Sequence, residues 1–228
     1  FLSGPVRHIA TPGATYARLM PRIVVVVCAV VFTDTLLFGA LVPLIPQYAD
    51  ALDLTKSQAG LLLGAYGAGA LIGGIPSGFL TARIGSKHAV VGGLALLGVT
   101  TILFGLSEDA AILGAARFGQ GVSSVIAWTG ALSLVTSETD RARRGELLGT
   151  VFSFAILGYI VGPIIGAVAE LTSIRATFFT VATVAFLLAL VASRLQLPVS
   201  GHPRTGRIRK ALADPRFVGG LWITFIPA

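Results

Sequence analysis

VVVVCAVVFTDTLLFGALVPLIP, residues 24–46, decides how the chain is read. It is almost wholly apolar and longer than the 18 residues that mark a membrane-crossing helix. One carboxylate, Asp34, interrupts it. A helix over about 23–46 puts Asp34 about twelve residues, or ~18 Å, from either end. Its helical neighbours Val30, Val31, Leu37, Phe38 and Leu41 are all apolar, so no partner is expected on its own helix. A carboxylate at that depth costs several kcal/mol if it faces lipid. It must face a bundle interior or a water-filled cavity.

The same pattern recurs. Apolar blocks cover about 23–46, 58–81, 88–106, 110–134, 147–169 and 176–193. Each has the length for a membrane helix, and helices are required because lipid offers backbone groups no outside partner. The ten-residue alternation of a membrane barrel is absent. The first block is too long for a secretory signal peptide and has no small-residue cleavage site. Composition agrees: 54% of the 228 residues are hydrophobic and only 12% charged, too few to cover a soluble domain of this size.

The charges orient the spans. With the N-terminus in the cytoplasm, inner segments hold 14 of the 17 basic residues, from Arg7, Arg18 and Arg22 to Arg216, while outer segments hold only Lys56 and Arg175. That is a strong positive-inside bias, and it accounts for the net charge of +7 without nucleic acid. The last basic residue, Arg117, lies inside the fourth span. Asp34 and Arg117 are thus two charges of opposite sign set deep in apolar helices. A static ion pair between them that fixes helix packing is one reading; a functional pair is the other.

Some chemistries find no support. The single cysteine, Cys28, allows no intrachain disulfide. His8, His88 and His202 lie far apart, so no metal-ligand spacing is present. Nucleophile-elbow and phosphate-loop patterns are missing. We expect neither an enzyme nor a cofactor.

Two helices carry glycines at helical spacing. In the second span Gly60, Gly64, Gly67, Gly74 and Gly78 follow one face; in the fifth, Gly158, Gly162 and Gly166 stand four apart. Such stripes let helix backbones approach closely. Spans one to three also echo spans four to six. The first helix of each triplet bears the buried charge, and the second bears glycines and a proline, Pro76 or Pro163. Three spans per repeat is odd, so the triplets must be inverted, a design common in secondary transporters.

Three motifs then resemble the major facilitator superfamily, in its N-terminal six-helix half. In GFLTARIGSK, residues 78–87, Gly78, Arg83, Gly85 and Lys87 match the family's loop motif; Ala82 stands where the family has aspartate and Ser86 where it has a basic residue. RFGQG, residues 117–121, is similar to its arginine-x-x-glutamine-glycine motif. Gly149, Gly158, Gly162, Pro163 and Gly166 reproduce the spacing of its antiporter motif, with Ala167 in place of the final glycine. TDTLLFGALVPLIP resembles the opening helix of drug and vesicular-amine antiporters.

The resemblance implies an all-α integral membrane fold: six transmembrane helices as two inverted three-helix repeats, plus the start of a seventh. The expected layout is a cytoplasmic tail over 1–21, a bundle over 22–193, a cytoplasmic central loop over 194–216 and a truncated seventh helix over 217–228. The chain would be part of a longer protein whose C-terminal six-helix half is the missing partner. The implied activity is proton-coupled efflux of small amphipathic or cationic molecules by alternating access, in the plasma membrane, as in a bacterial inner membrane. Asp34, Arg117 and Gln120 would couple protons to substrate. Desolvation and a nearby cation pull the protonation of Asp34 in opposite senses, so it can titrate near neutral pH. Phe38, Tyr66, Ser124, Trp128 and Tyr159 are cavity candidates. The 78–87 loop would serve as a gate, and the absent aspartate removes one contact from its latch. Two alternatives stand beside this reading: a facilitator or sugar-type proton symporter, and a non-transporting six-helix scaffold.

Overall fold

The computed structural model describes residues 12–51, 53–171 and 173–195. The expected central loop beyond 195 and the start of a seventh helix lie outside them, as does the tail before residue 12. The described residues form seven helices: α1 (Pro12–Leu41), α2 (Ile45–Ala51), α3 (Lys56–Ile84), α4 (Ser86–Leu106), α5 (Ala110–Glu138), α6 (Arg144–Leu171) and α7 (Ile174–Arg194). All but the short α2 are long and apolar enough to cross a membrane.

Local chemistry sets the helix ends. Thr55 and Gln58 form a reciprocal capping box at the start of α3, satisfying two otherwise unpaired donors. The Asp109 carboxylate accepts from the amides of Ala111 and Ile112 to open α5, and the Ser173 hydroxyl accepts from that of Ala176 to open α7. The chain turns from α3 into α4 at Gly85, whose φ of 88° and ψ of 153° fall in a region essentially reserved for glycine. The exposed Arg175–Glu108 ion pair joins the first turn of α7 to the α4–α5 loop.

The first apolar block is not one continuous helix. α1 stops at Leu41, tight turns carry the chain from Gly39 to Val42 and from Leu41 to Leu44, and α2 follows. Pro43 in this turn has no amide hydrogen to continue the ladder. Asp34 is therefore off-centre: seven residues from the end of α1, ~10 Å, rather than twelve.

The helices pack through small residues. α1 lies mainly along α6, α5 mainly along α3 and α4, and α4 also along α7. A Cβ built on Gly162 would come 2.6 Å from the Leu36 carbonyl oxygen and 2.7 Å from the Gly39 Cα. Gly158 and Gly166 abut α1 backbone in the same way. On α3 the glycines that pack are Gly69, against the Phe118 carbonyl, and Gly73, against Val122. The stripe read from the sequence points elsewhere: Gly60, Gly64, Gly67, Gly74 and Gly78 face open space. Two apolar clusters result. One gathers Val27, Val31, Leu94, Ala131, Leu134 and Val151; the other gathers Leu37, Leu41, Leu62, Phe104, Leu113 and Phe178. Large apolar side chains such as Leu61, Ile75, Ile164 and Leu171 face outward, as a lipid environment demands.

Candidate transport site

Between the two apolar clusters lies a buried polar layer. On α1, Asp34 follows Val31 of the first cluster and precedes Leu37 of the second. On α5, Arg117, Gln120, Ser123 and Ser124 fill the interval between Ala116 and Ala127. Asp34 is 3% exposed and Arg117 1%. The layer thus faces the protein interior, which answers the question raised by a carboxylate in hydrocarbon.

The helical stripe Arg117–Gln120–Ser124–Trp128 does come together on one side of α5, but it divides into two groups. Ser124 Oγ donates to Asp34 Oδ2 at 2.7 Å, and Trp128 Nε1 donates to the same oxygen at 2.8 Å. Such short bonds to a carboxylate are charge-assisted and stronger than neutral ones. Arg117 Nη1 donates to Gln120 Oε1 at 3.0 Å, and Gln120 Nε2 donates on to Thr101 Oγ1 at 3.4 Å. The guanidinium lies over the rings of Tyr66, 4.9 Å from its centroid, and Phe38, 5.9 Å, a cation–π arrangement.

Asp34 and Arg117 form no ion pair with each other. Each is held by neutral partners, and each keeps one buried atom without a hydrogen bond: Asp34 Oδ1 and Arg117 Nε. The ion-pair reading of the sequence is therefore corrected. The cause is the spacing on α5. Ser124 and Trp128, two and three turns beyond Arg117, take the carboxylate, while Gln120 and the aromatic rings take the guanidinium.

The aromatic candidates also assemble. Phe38 packs on Tyr66 at 4.8 Å and on Tyr159 at 6.0 Å, linking α1, α3 and α6 beside Arg117. Tyr159 is 52% exposed and forms the open edge of this group. Trp128 packs on Phe152 at 5.9 Å. Sequence reasoning missed Thr101 and Phe152. Thr101 had a signal: Thr100 and Thr101 are the only hydroxyls between Ala89 and Leu106. Phe152, one of many apolar residues in its span, had none.

The other candidates lie away from this layer. Gly85 makes the α3–α4 turn, Arg83 is exposed near it, and Lys87 Nζ donates to the Leu195 carbonyl at 2.7 Å, tying α4 to the end of α7. Gly78 and Gly149 face open space, whereas Gly158, Gly162 and Gly166 seat α6 on α1. Pro163 lies in the same seam, its Cδ 3.2 Å from a Cβ built on Gly39.

The family model described as Major Facilitator Superfamily matches residues 27–227. The chain belongs to the major facilitator superfamily. Its relatives there are membrane transporters, not enzymes. The chain is 26% identical over 223 residues to a probable vesicular acetylcholine transporter-B of Danio rerio, covering 90% of this chain and 45% of that protein. It is 25% identical over 170 residues to multidrug resistance protein 2 of Bacillus subtilis strain 168, covering 75% and 42%. The fold also matches the crystal structure of a bacterial homologue of the human lysosomal transporter Spinster, inward-facing and unoccupied. There the TM-score is 0.71 at 15% identity, over 81% of this chain and 45% of that one. The chain thus spans under half the length of each, and the all-helical fold is that of half a superfamily transporter.

Proposed function

We propose that this chain is the first half of a secondary transporter that exchanges protons for small amphipathic or cationic molecules by alternating access. The observation that carries the reading is Asp34: a carboxylate walled into the span, held by two donors on one oxygen, with the other oxygen unpartnered. A proton or a substrate cation can complete that oxygen, and the two compete for it. Protonation from outside releases substrate, and loss of the proton inside readmits it. Arg117 is braced beside this site by Gln120 and two rings. The named relatives that handle drugs or acetylcholine support this class of substrate.

In this reading the N-terminus is cytoplasmic, the 78–87 loop is part of the inner gate, and a second six-helix half completes the cavity in a cell membrane such as the bacterial inner membrane. The α1–α6 glycine seam is where the charge-bearing helix slides or rocks.

The test is exchange of rhodamine 123, a lipophilic cation, in proteoliposomes holding the full-length transporter. Net movement should reverse when the imposed pH gradient is reversed. Asp34→Asn should abolish gradient-driven exchange while the protein remains monodisperse. Wild-type exchange in that variant would remove Asp34 from the mechanism. Movement indifferent to the gradient would favour the facilitator reading, and no movement in the wild type the scaffold.

A further inference from the structure

Helices α1 and α7 do not close on each other. Their contact is slight beside the α1–α6 and α4–α5 interfaces, and residue type explains it. Gly93 of α4 meets the backbone of Ala127, and Gly130 of α5 meets that of Ser86 and Val90, but α7 holds no glycine at all. Where α7 comes nearest α1 it presents Thr177, Thr180, Val181 and Val184. β-Branched side chains such as these are stiff and hold the two backbones apart. A groove of about 410 Å³ is left, walled on its other side by Phe32, Thr33 and Leu36 of α1 and bordered by Ile165 of α6.

Water is a poor occupant. The Thr177 and Thr180 hydroxyls already donate to the Ser173 and Ala176 carbonyls of their own helix, and the rest of the α7 wall is apolar. Apolar voids stay dry, and an empty one forfeits dispersion contacts along its lining. A protein helix is too wide. The α7 wall runs from Ala176 to Val184, ~12 Å along the axis, and a helix about 10 Å across would need roughly 900 Å³ over that length. An extended hydrocarbon chain fits. Its carbons touch neighbours at about 3.5–4.0 Å, so it is ~4–5 Å wide and takes roughly 200 Å³ over the same length.

Depth and setting agree with that occupant. The groove starts in the first turn of α7 and ends near mid-helix, which matches most of one leaflet's hydrocarbon depth of about 15 Å. The flanking surface carries large outward-facing apolar side chains, Ile164 of α6 and Leu187 of α7, so the groove opens onto the bilayer's own chains. We propose that a phospholipid acyl chain lodges between α1 and α7 as a fixed part of the helix packing. The helix that carries Asp34 then rests on protein along its α6 seam and on lipid along this flank. The proposal goes beyond the transport reading and does not depend on it.

The test is photolabelling of the full-length transporter in phosphatidylcholine nanodiscs doped with phosphatidylcholine that carries a mid-chain diazirine. Adducts are mapped by peptide mass spectrometry. Lipid acting only as solvent should mark the exposed Ile164 and Leu187 and spare Thr33 and Val181, which are 6% and 7% exposed. A lodged chain should mark Thr33, Leu36 and Val181 as well. Thr180→Phe fills the groove from its α7 wall, so it should abolish those three adducts while Ile164 and Leu187 stay marked. Val184→Phe should act in the same way and serves if the first variant fails to fold. Wild-type adducts confined to Ile164 and Leu187 would overturn the proposal, since the groove would then be shut or empty. Adducts at neither set would also overturn it, showing that the second half of the transporter covers this flank. So would groove adducts that persist in both phenylalanine variants.

Discussion

Replacing Gly162 with alanine tests the α1–α6 seam most directly. The new methyl carbon would stand 2.6 Å from the Leu36 carbonyl oxygen, 2.7 Å from the Gly39 Cα and 2.8 Å from the Ala40 nitrogen. Ordinary carbon contacts lie at about 3.5–4.0 Å, so the helices must separate by roughly 1 Å. All three obstacles are α1 backbone, which cannot swing aside as a side chain can. Overpacking of this kind costs about 1–3 kcal/mol. Alanine also raises helix propensity by about 0.8–1.0 kcal/mol, which masks part of the loss. Gly149→Ala provides the correction: it sits on the same helix with nothing within 4 Å, so it gains the propensity without the clash. The difference between the two variants isolates the steric term. Reversible unfolding in mixed micelles should place Gly162→Ala about 1–3 kcal/mol below Gly149→Ala. Equal stabilities would mean that α1 and α6 are not in close backbone contact, and the seam as drawn would be wrong.

Gly85→Ala should destabilise by about 1–3 kcal/mol in the same assay, because its backbone conformation is one that other residues adopt only under strain; a change under 0.5 kcal/mol would contradict the turn. Lys87→Met removes the ammonium bonded to the Leu195 carbonyl. Hydrogen exchange at the C-terminal turn of α7 should then speed up, with the rest of that helix unchanged. A double-mutant cycle on Glu108 and Arg175, both largely exposed, should return a coupling of about 0–1 kcal/mol; a larger value would show that this end of the bundle is packed more tightly than its exposure indicates.

The sequence exposed the fold through length and polarity alone, since a bilayer imposes both on every crossing helix. The interior was harder to read, and α3 shows why. Helical spacing reveals which glycines share a face, but not which face turns inward. Gly60, Gly64 and Gly67 line up as neatly as any packing stripe, yet α5 meets α3 through Gly69 and Gly73 instead. The same gap explains Asp34. Opposite charge suggested Arg117 as its partner, whereas its bonds come from Ser124 and Trp128, whose place on the stripe was visible but whose rotation toward α1 was not. The shortened α1 was legible in principle, because Pro43 and Pro46 stand within three residues of each other. Apolar composition through that stretch concealed the break.

The internal echo gains physical content from the packing. Laying α1, α3 and α4 over α5, α6 and α7 maps the α1–α6 seam onto the α5–α3 seam. Those are two of the most extensive interfaces in the molecule, and both bring backbones together through glycine. The correspondence fails at one place. α5 is also clamped along α4, but the matching contact of α1 with α7 is thin. An apolar groove of about 410 Å³ opens there, lined by Phe32, Thr33 and Leu36 of α1 and by Thr180, Val181 and Val184 of α7. The arginine-bearing helix is therefore held by close packing on two flanks, and the carboxylate-bearing helix mainly by one glycine seam, with lesser contacts to α5 and α7. Asp34 sits on a helix with one extensive interface, and both of its hydrogen-bond donors lie on the helix with two. Any change at the carboxylate, by proton or by ligand, thus falls on the contact between α1 and α5, which is slight beside the α1–α6 and α5–α3 seams, so a small change in bonding free energy there can become a change in how the two helices sit against each other.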